Sequence, residues 1–288
     1  MARKAVIRAA KLAMTGGLLV WLAGKVDVGA AWREAAGIDL PLLLAAFGVM
    51  MLQAPIGGLR WAAVTRAMRA PLTLADALGL FWLGSFFSLA LPAVGGDVVR
   101  MWASRRAGMT LAAAVNSVMI ERLAAVLGLV LLVTATQPML MERLPDLPGT
   151  WLFPLLSAVL ITLTAALAVL DRLPQSLRRW RLVMGMAVLA GDIRATFLQP
   201  AHAVPVLFWA LVSQANLALA VYLLARGLNL TLSLMDCLVL VPPVVLAVTL
   251  PISIAGWGVR ETMMVTLLGL VGVPAHSALV VSLAFALT

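Results

Sequence analysis

The stretch LAAAVNSVMIERLAAVLGLVLLVTAT, Leu111–Thr136, decides the fold. As a helix it runs to roughly 39 Å, longer than the ~30 Å hydrocarbon core of a bilayer. It carries no proline or alternating polar pattern, so a strand of a membrane barrel is excluded. Its charged residues, Glu121 and Arg122, stand side by side well inside the run, where a loop has no place. Apolar runs of similar character lie to either side, at about 12–24, 40–57, 74–94, 151–170, 203–225, 236–256 and 262–288.

The whole chain agrees with this stretch. Of its 288 residues 63% are hydrophobic and 11% charged, and its mean hydropathy is +1.06. Soluble chains carry about a quarter charged residues, and no soluble fold of this length hides so much apolar surface. Lipid can solvate it, and in lipid only helices or closed barrels satisfy the backbone. The expected fold is therefore all-α: one polytopic transmembrane domain over residues 1–288. It should hold about six spanning helices plus two re-entrant broken hairpins.

The net charge of +9 would suggest nucleic acid in a soluble protein. Here it follows the positive-inside rule, and no nucleic-acid partner is expected. Arg3, Lys4, Arg8 and Lys11 place the N-terminus in the cytoplasm, as in a bacterial-type inner membrane. The segment 25–39 is net negative and belongs outside. Residues 58–71, with Arg60, Arg66 and Arg69, belong inside, and Arg60 reads as a snorkelling anchor at a helix end. Residues 97–106 are positive too, so both flanks of segment 74–94 face the cytoplasm. A re-entrant hairpin meets that condition, with its break at Pro92-Ala93-Val94-Gly95-Gly96. Proline lacks a donor and glycine frees the backbone there. Residues 182–198, interrupted by Asp192 and Arg194, fit an amphipathic helix in the interface plane.

A second break, Pro251-Ile252-Ser253-Ile254-Ala255-Gly256-Trp257-Gly258, occurs late in the chain. A shift of 160 residues lays Leu74, Asp76, Gly96, Val99 and Arg100 on Leu234, Asp236, Gly256, Val259 and Arg260. The expected repeat units are about 74–136 and 234–288. An odd number of spans between them makes the repeat inverted. Paired Gly/Pro-broken segments in inverted halves are the best sequence pointer to a transporter site. Asp76 and Asp236 open the two units and read as helix-cap or interfacial residues.

Ionisable residues inside lipid cost at least about 2.5–3.5 kcal/mol and need a partner or a wet cavity. Asp97 and Arg100 follow the first break, Glu121 and Arg122 sit within a span, and Arg260 and Glu261 follow the second break. Neighbours on a helix point about 100° apart. Glu121 therefore need not pair with Arg122, and Arg100 or Arg260 are equally open to it. Asn116 and Ser117 lie a turn earlier, and Asn116 and Ser253 complete the candidate substrate contacts. The helix-break residues are Pro92, Gly95, Gly96, Pro251, Gly256 and Gly258. Arginines here suit a phosphate bidentately. The bland alternative is a buried ion-pair network that fixes packing.

Cys237 is the single cysteine, and His202 and His276 are far apart, so neither a disulfide nor a metal site is expected. No phosphate-binding loop, dinucleotide fingerprint or hydrolase elbow occurs. No cofactor and no enzymatic activity are expected.

Pro92-x-x-Gly95-Gly96-Asp97-x-x-Arg100, then Glu121-Arg122, then Pro251-x-Ser253-x-x-Gly256-x-Gly258-x-Arg260-Glu261 resemble the signature of a flippase-like membrane family. Its best-known member is the N-terminal membrane domain of lysylphosphatidylglycerol synthase. The resemblance covers nearly the whole chain, with the motifs in the family's order. Ala255 departs from it, standing where a second glycine often precedes Gly-x-Gly. The resemblance implies lipid translocation, and the synthase's catalytic domain has no counterpart here. The expected function is a lipid flippase that takes a polar or charged head group through a cavity between two broken-helix hairpins. The alternative is a non-transporting lipid-binding accessory or scaffold of a membrane-lipid biosynthesis pathway, with an enzyme of that pathway as partner.

Overall fold

A computed structural model of the chain describes residues 14–18, 20–22, 24–90, 95–143, 151–169, 181–249 and 256–287. The N-terminal cluster Arg3, Lys4, Arg8 and Lys11 lies outside the described residues, as do Pro92, Pro251, Ser253 and Ala255. Every regular element among the described residues is an α-helix, as expected. The helices are α1 (Val28–Ala36), α2 (Leu40–Met51), α3 (Gln53–Ala67), α4 (Leu74–Ala90), α5 (Gly95–Arg106) and α6 (Leu111–Arg143). They continue with α7 (Leu152–Val169), α8 (Arg181–Phe197), α9 (Pro200–Gly227), α10 (Leu234–Thr249), α11 (Val259–Leu270) and α12 (Ala275–Leu287).

Three stretches among the described residues are long and apolar enough to cross a membrane: Leu40–Ala67, Leu111–Met139 and Pro200–Gly227. Leu74–Ser88, Pro154–Ala168, Leu234–Val248 and Ala275–Leu287 are apolar but shorter. The apolar run 262–288 is not one helix. Gly272, at φ 84°, turns the chain between α11 and α12.

The chain divides into two compact units, one of Met1–Met51, Ala135–Pro148 and Gln214–Thr288, the other of Leu52–Thr134 and Gly149–Ser213. In the second of these, α4 lies close against α3 because Gly57 and Gly58 carry no side chains. A Cβ on Gly58 would meet Leu78 Cδ2 at 2.9 Å, and one on Gly57 would overlap the Phe81 ring. Trp61, Ala62, Ala77 and Val118 fill the space beside this contact. A second cluster joins Val64, Ile120, Ala124, Ala168, Ile193 and Val206. Ile193 belongs to α8, so that helix buries one face in the protein core. Thr196 Oγ1 donates back to Asp192 O at 2.8 Å, and Arg194 Nε donates to Ala168 O at 3.2 Å.

In the other unit, Asp27 caps α1, its Oδ1 accepting from Ala30 N–H at 2.9 Å. That bond holds the Asp27 carboxyl below the usual carboxylate range. Helix α1 is tied to α12 by Ser277 Oγ, which donates to Glu34 Oε2 at 2.8 Å. Asn216 Nδ2 of α9 donates to Val49 O of α2 at 3.0 Å.

The same succession of local features surrounds both breaks. A helix ends at a left-handed residue, Arg69 at φ 54° or Asn229 at φ 57°. A hydroxyl then caps the next helix: Asp76 N–H donates to Thr73 Oγ1, and Asp236 N–H to Ser233 Oγ, each at 3.1 Å. The broken helix and a short helix of 12 residues follow. Gly108 at φ 97° or Gly272 at φ 84° ends that short helix.

Candidate functional site

Arg60 and Trp61 come one turn after the Gly57-Gly58 contact, and both are buried, at 6% and 0% exposure. The tight approach of α4 draws this part of α3 into the interior, and a buried arginine there needs a counter-charge. Glu121 of α6, 2% exposed, supplies it. Its Oε1 accepts from Arg60 Nη2 and, at 3.0 Å, from Arg60 Nε. Its Oε2 accepts from Arg100 Nη2 of α5 at 3.0 Å. The same Arg100 nitrogen reaches Asp97 Oδ1 at 3.3 Å. Asp97 Oδ2 in turn accepts from Arg122 Nε at 3.0 Å and lies 2.9 Å from Arg122 Nη2. The Arg100 guanidinium also packs 4.7 Å from the centres of both the Trp61 and Phe81 rings. Such contacts favour a desolvated cation.

These groups line a cavity of about 290 Å³ whose walls are Gln53, Arg60, Phe81, Gly84, Ser85, Ser88, Asp97, Arg100, Glu121 and Arg122. Gly96 makes the wall possible: its missing side chain admits the Gly84 carbonyl and the Ser88 hydroxyl. Arg60, Arg100 and Arg122 face Asp97 and Glu121, leaving one positive charge in excess. Arg60 Nη1, Arg100 Nε and Trp61 Nε1 are buried with no hydrogen-bond partner among the described residues. Each such unmet donor costs about 1–3 kcal/mol. The arrangement is thus suited to hold an anion.

The expected residues divide. Asp97, Arg100, Glu121 and Arg122 meet in one network. Glu121 takes Arg100 rather than its sequence neighbour, and Arg122 reaches Asp97 instead. Asn116 does not join them, since its Nδ2 donates to Asp192 Oδ2 at 2.7 Å. Ser117 Oγ donates to Ala114 O within its own helix, at 3.0 Å. Arg260 and Glu261 belong to the other unit and pair with each other, Nε and Nη2 lying 3.1 and 2.7 Å from Glu261 Oε1. Glu261 Oε2 accepts from Gly258 N–H at 2.7 Å and so closes the start of α11. Gly256 and Gly258, at φ 79° and 83°, take the left-handed backbone expected of a break. Gly95 opens α5, and Gly96 serves by close approach inside that helix. Ser253, Pro92 and Pro251 lie outside the described residues.

Arg60 is the main residue that the sequence reading misplaces. It is not a snorkelling anchor, because Glu121 holds it inside the protein. The signal was present in Gly57-Gly58: two adjacent glycines that admit a neighbouring helix also bury the turn that follows. Among the described residues no group of three or more His, Cys, Asp or Glu is placed to hold a metal.

The family model for the lysylphosphatidylglycerol synthase TM region matches residues 8–288. The chain belongs to that family. Comparison with curated proteins and with solved structures returns no match. Membership of the lysylphosphatidylglycerol synthase TM region family, with the long apolar helices, makes this an integral membrane protein of a lipid-related family. Within this family member, the charged cavity is built by α3, α4, α5 and α6, and Glu121 sits inside the membrane-length helix Leu111–Met139.

Proposed function

We propose that this protein is a lipid flippase in which the head group of a membrane lipid enters the charged cavity around Arg60, Arg100 and Glu121 while its acyl chains stay in lipid. The observation that carries the reading is a cavity with surplus positive charge and unmet buried donors, beside a helix of membrane length. Such a cavity is costly in lipid and marks a substrate path by default. Broken helices at α4–α5 and α10–α11 suit re-entrant segments of a transporter. The protein is read as a carrier and not an enzyme, because Asp97 and Glu121 are both held by arginines and neither is poised as a base. The positive flanks of segment 74–94 and the basic N-terminus favour a bacterial-type inner membrane with a cytoplasmic N-terminus.

One observation favours a second reading, an accessory that holds a lipid or a biosynthetic enzyme without transport. Both carboxylates of the network are already paired with arginines, as in a structural strut. Translocation of fluorescent phospholipids and of a polyprenyl-phosphate lipid in proteoliposomes separates the two. A flippase moves at least one of them, and Arg100→Ala abolishes the movement while the protein remains folded. Lipid that copurifies tightly but never crosses would leave the accessory role.

A further inference from the structure

We infer that the cavity of α3–α6 selects a singly charged phosphodiester head group and disfavours a zwitterionic one. The inference rests on the lipid reading above and adds the charge of the substrate. Three arginines against two carboxylates leave a surplus of one positive charge at the cavity wall. One monoanion cancels it, whereas a zwitterion leaves it in place.

The hydrogen-bond inventory points the same way. Arg60 and Arg100 are 6% and 3% exposed, both line the cavity, and each keeps a donor nitrogen without an acceptor among the described residues. The neutral wall residue Ser85 adds a hydroxyl that can donate to a phosphate oxygen. A cationic head-group amine, by contrast, finds its usual partners taken. Glu121 already accepts from two guanidinium groups, and so does Asp97. The ring faces of Trp61 and Phe81, the natural cradle for an ammonium ion, are covered by Arg100. The surplus charge can also be removed from outside the core, since the Arg122 side chain is 63% exposed.

The test uses the full chain in detergent and measures displacement of a bound fluorescent lipid. The competitors are phosphatidylglycerol, phosphatidylethanolamine with the same acyl chains, and water-soluble glycerophosphoglycerol, the same phosphodiester without acyl chains. Phosphatidylglycerol should bind about tenfold more tightly than phosphatidylethanolamine. Arg122→Gln cancels the surplus without touching buried side chains and should bring the two lipids to within about threefold of each other. The paired change Arg60→Gln with Glu121→Gln keeps the surplus but removes the Arg60 donors. It should weaken phosphatidylglycerol about tenfold, with an unfolding temperature read on the same sample. Equal binding of the two lipids to the wild type overturns the inference and leaves the lipid reading standing. Glycerophosphoglycerol that competes as well as phosphatidylglycerol keeps the anion but overturns the lipid. Failure of every competitor sinks both.

Discussion

The two broken-helix regions, α4–α5 and α10–α11, share a frame and differ in what their arginines do. Each follows a left-handed helix end, each opens on a hydroxyl–aspartate cap, and each closes on a left-handed glycine. We propose that they are copies of one unit. Arg260 turns to the residue beside it, and Glu261 gives its other oxygen to the backbone of its own helix start. Arg100 instead reaches across sequence to Glu121, where it meets Arg60 from a third helix. The lesson is that an acid–base couple closed within one helix turn is a strut. One assembled from three helices, with donors left over, is where we propose that a ligand binds.

The largest test of that contrast is removal of each central carboxylate. Glu121→Gln leaves Arg60 buried without a counter-ion and Arg100 with only Asp97 at 3.3 Å, and should cost about 3–5 kcal/mol. Glu261→Gln leaves a single arginine that is partly exposed, and the amide can still accept from Gly258 N–H. Its cost should be about 1–2 kcal/mol. Reversible unfolding in mixed micelles measures both. Equal costs would break the distinction between strut and site.

Next comes backbone approach. Gly96→Ala puts a methyl group against the Gly84 carbonyl and the Ser88 hydroxyl, and should cost about 1–3 kcal/mol and reduce lipid binding. Gly79, on the preceding helix α4, has open space around its Cβ position. Gly79→Ala should be neutral or stabilising by up to about 1 kcal/mol. If Gly96→Ala destabilised the protein but left lipid binding untouched, the cavity wall would be packing alone.

The glycines that close the short helices should behave alike. Gly108 and Gly272 are both left-handed, and a Cβ added to either would meet no atom within 4 Å. Only backbone strain is at stake, so Gly108→Ala and Gly272→Ala should each cost about 1–2 kcal/mol. A large difference in unfolding free energy would argue against a common frame.

Much of this was legible in the sequence, for identifiable reasons. Leu111–Thr136 announces an all-α membrane chain because length and hydropathy leave no other backbone solution. Asp97, Arg100, Glu121 and Arg122 stand out because charge inside lipid must be met by charge. Arg60 was missed because an arginine near the end of an apolar run fits an anchor equally well, and only the distant Glu121 decides otherwise. Asn116 was drawn toward Glu121 by sequence distance, but its helix face turns it to Asp192. The turn between α11 and α12 was hidden because Val271, Val273 and Pro274 give Gly272 no polar neighbours, so hydropathy runs straight through it.

The smallest expected effect is at the caps, where the two regions should be most alike. Thr73 and Ser233 each accept from the aspartate backbone N–H three residues on, and each hydroxyl lies 2.6 Å from that aspartate's Oδ2. Thr73→Ala and Ser233→Ala should each cost about 1 kcal/mol, the usual loss for a helix cap. The second region has one bond more, from Ser233 N–H to Asp236 Oδ2 at 2.9 Å. That bond does not use the hydroxyl and survives the substitution. It can therefore cushion Ser233→Ala but cannot enlarge its cost. If Ser233→Ala proved far more damaging than Thr73→Ala, the hydroxyl would be holding more than a helix start, and the second region would call for the search for a ligand that the first now invites.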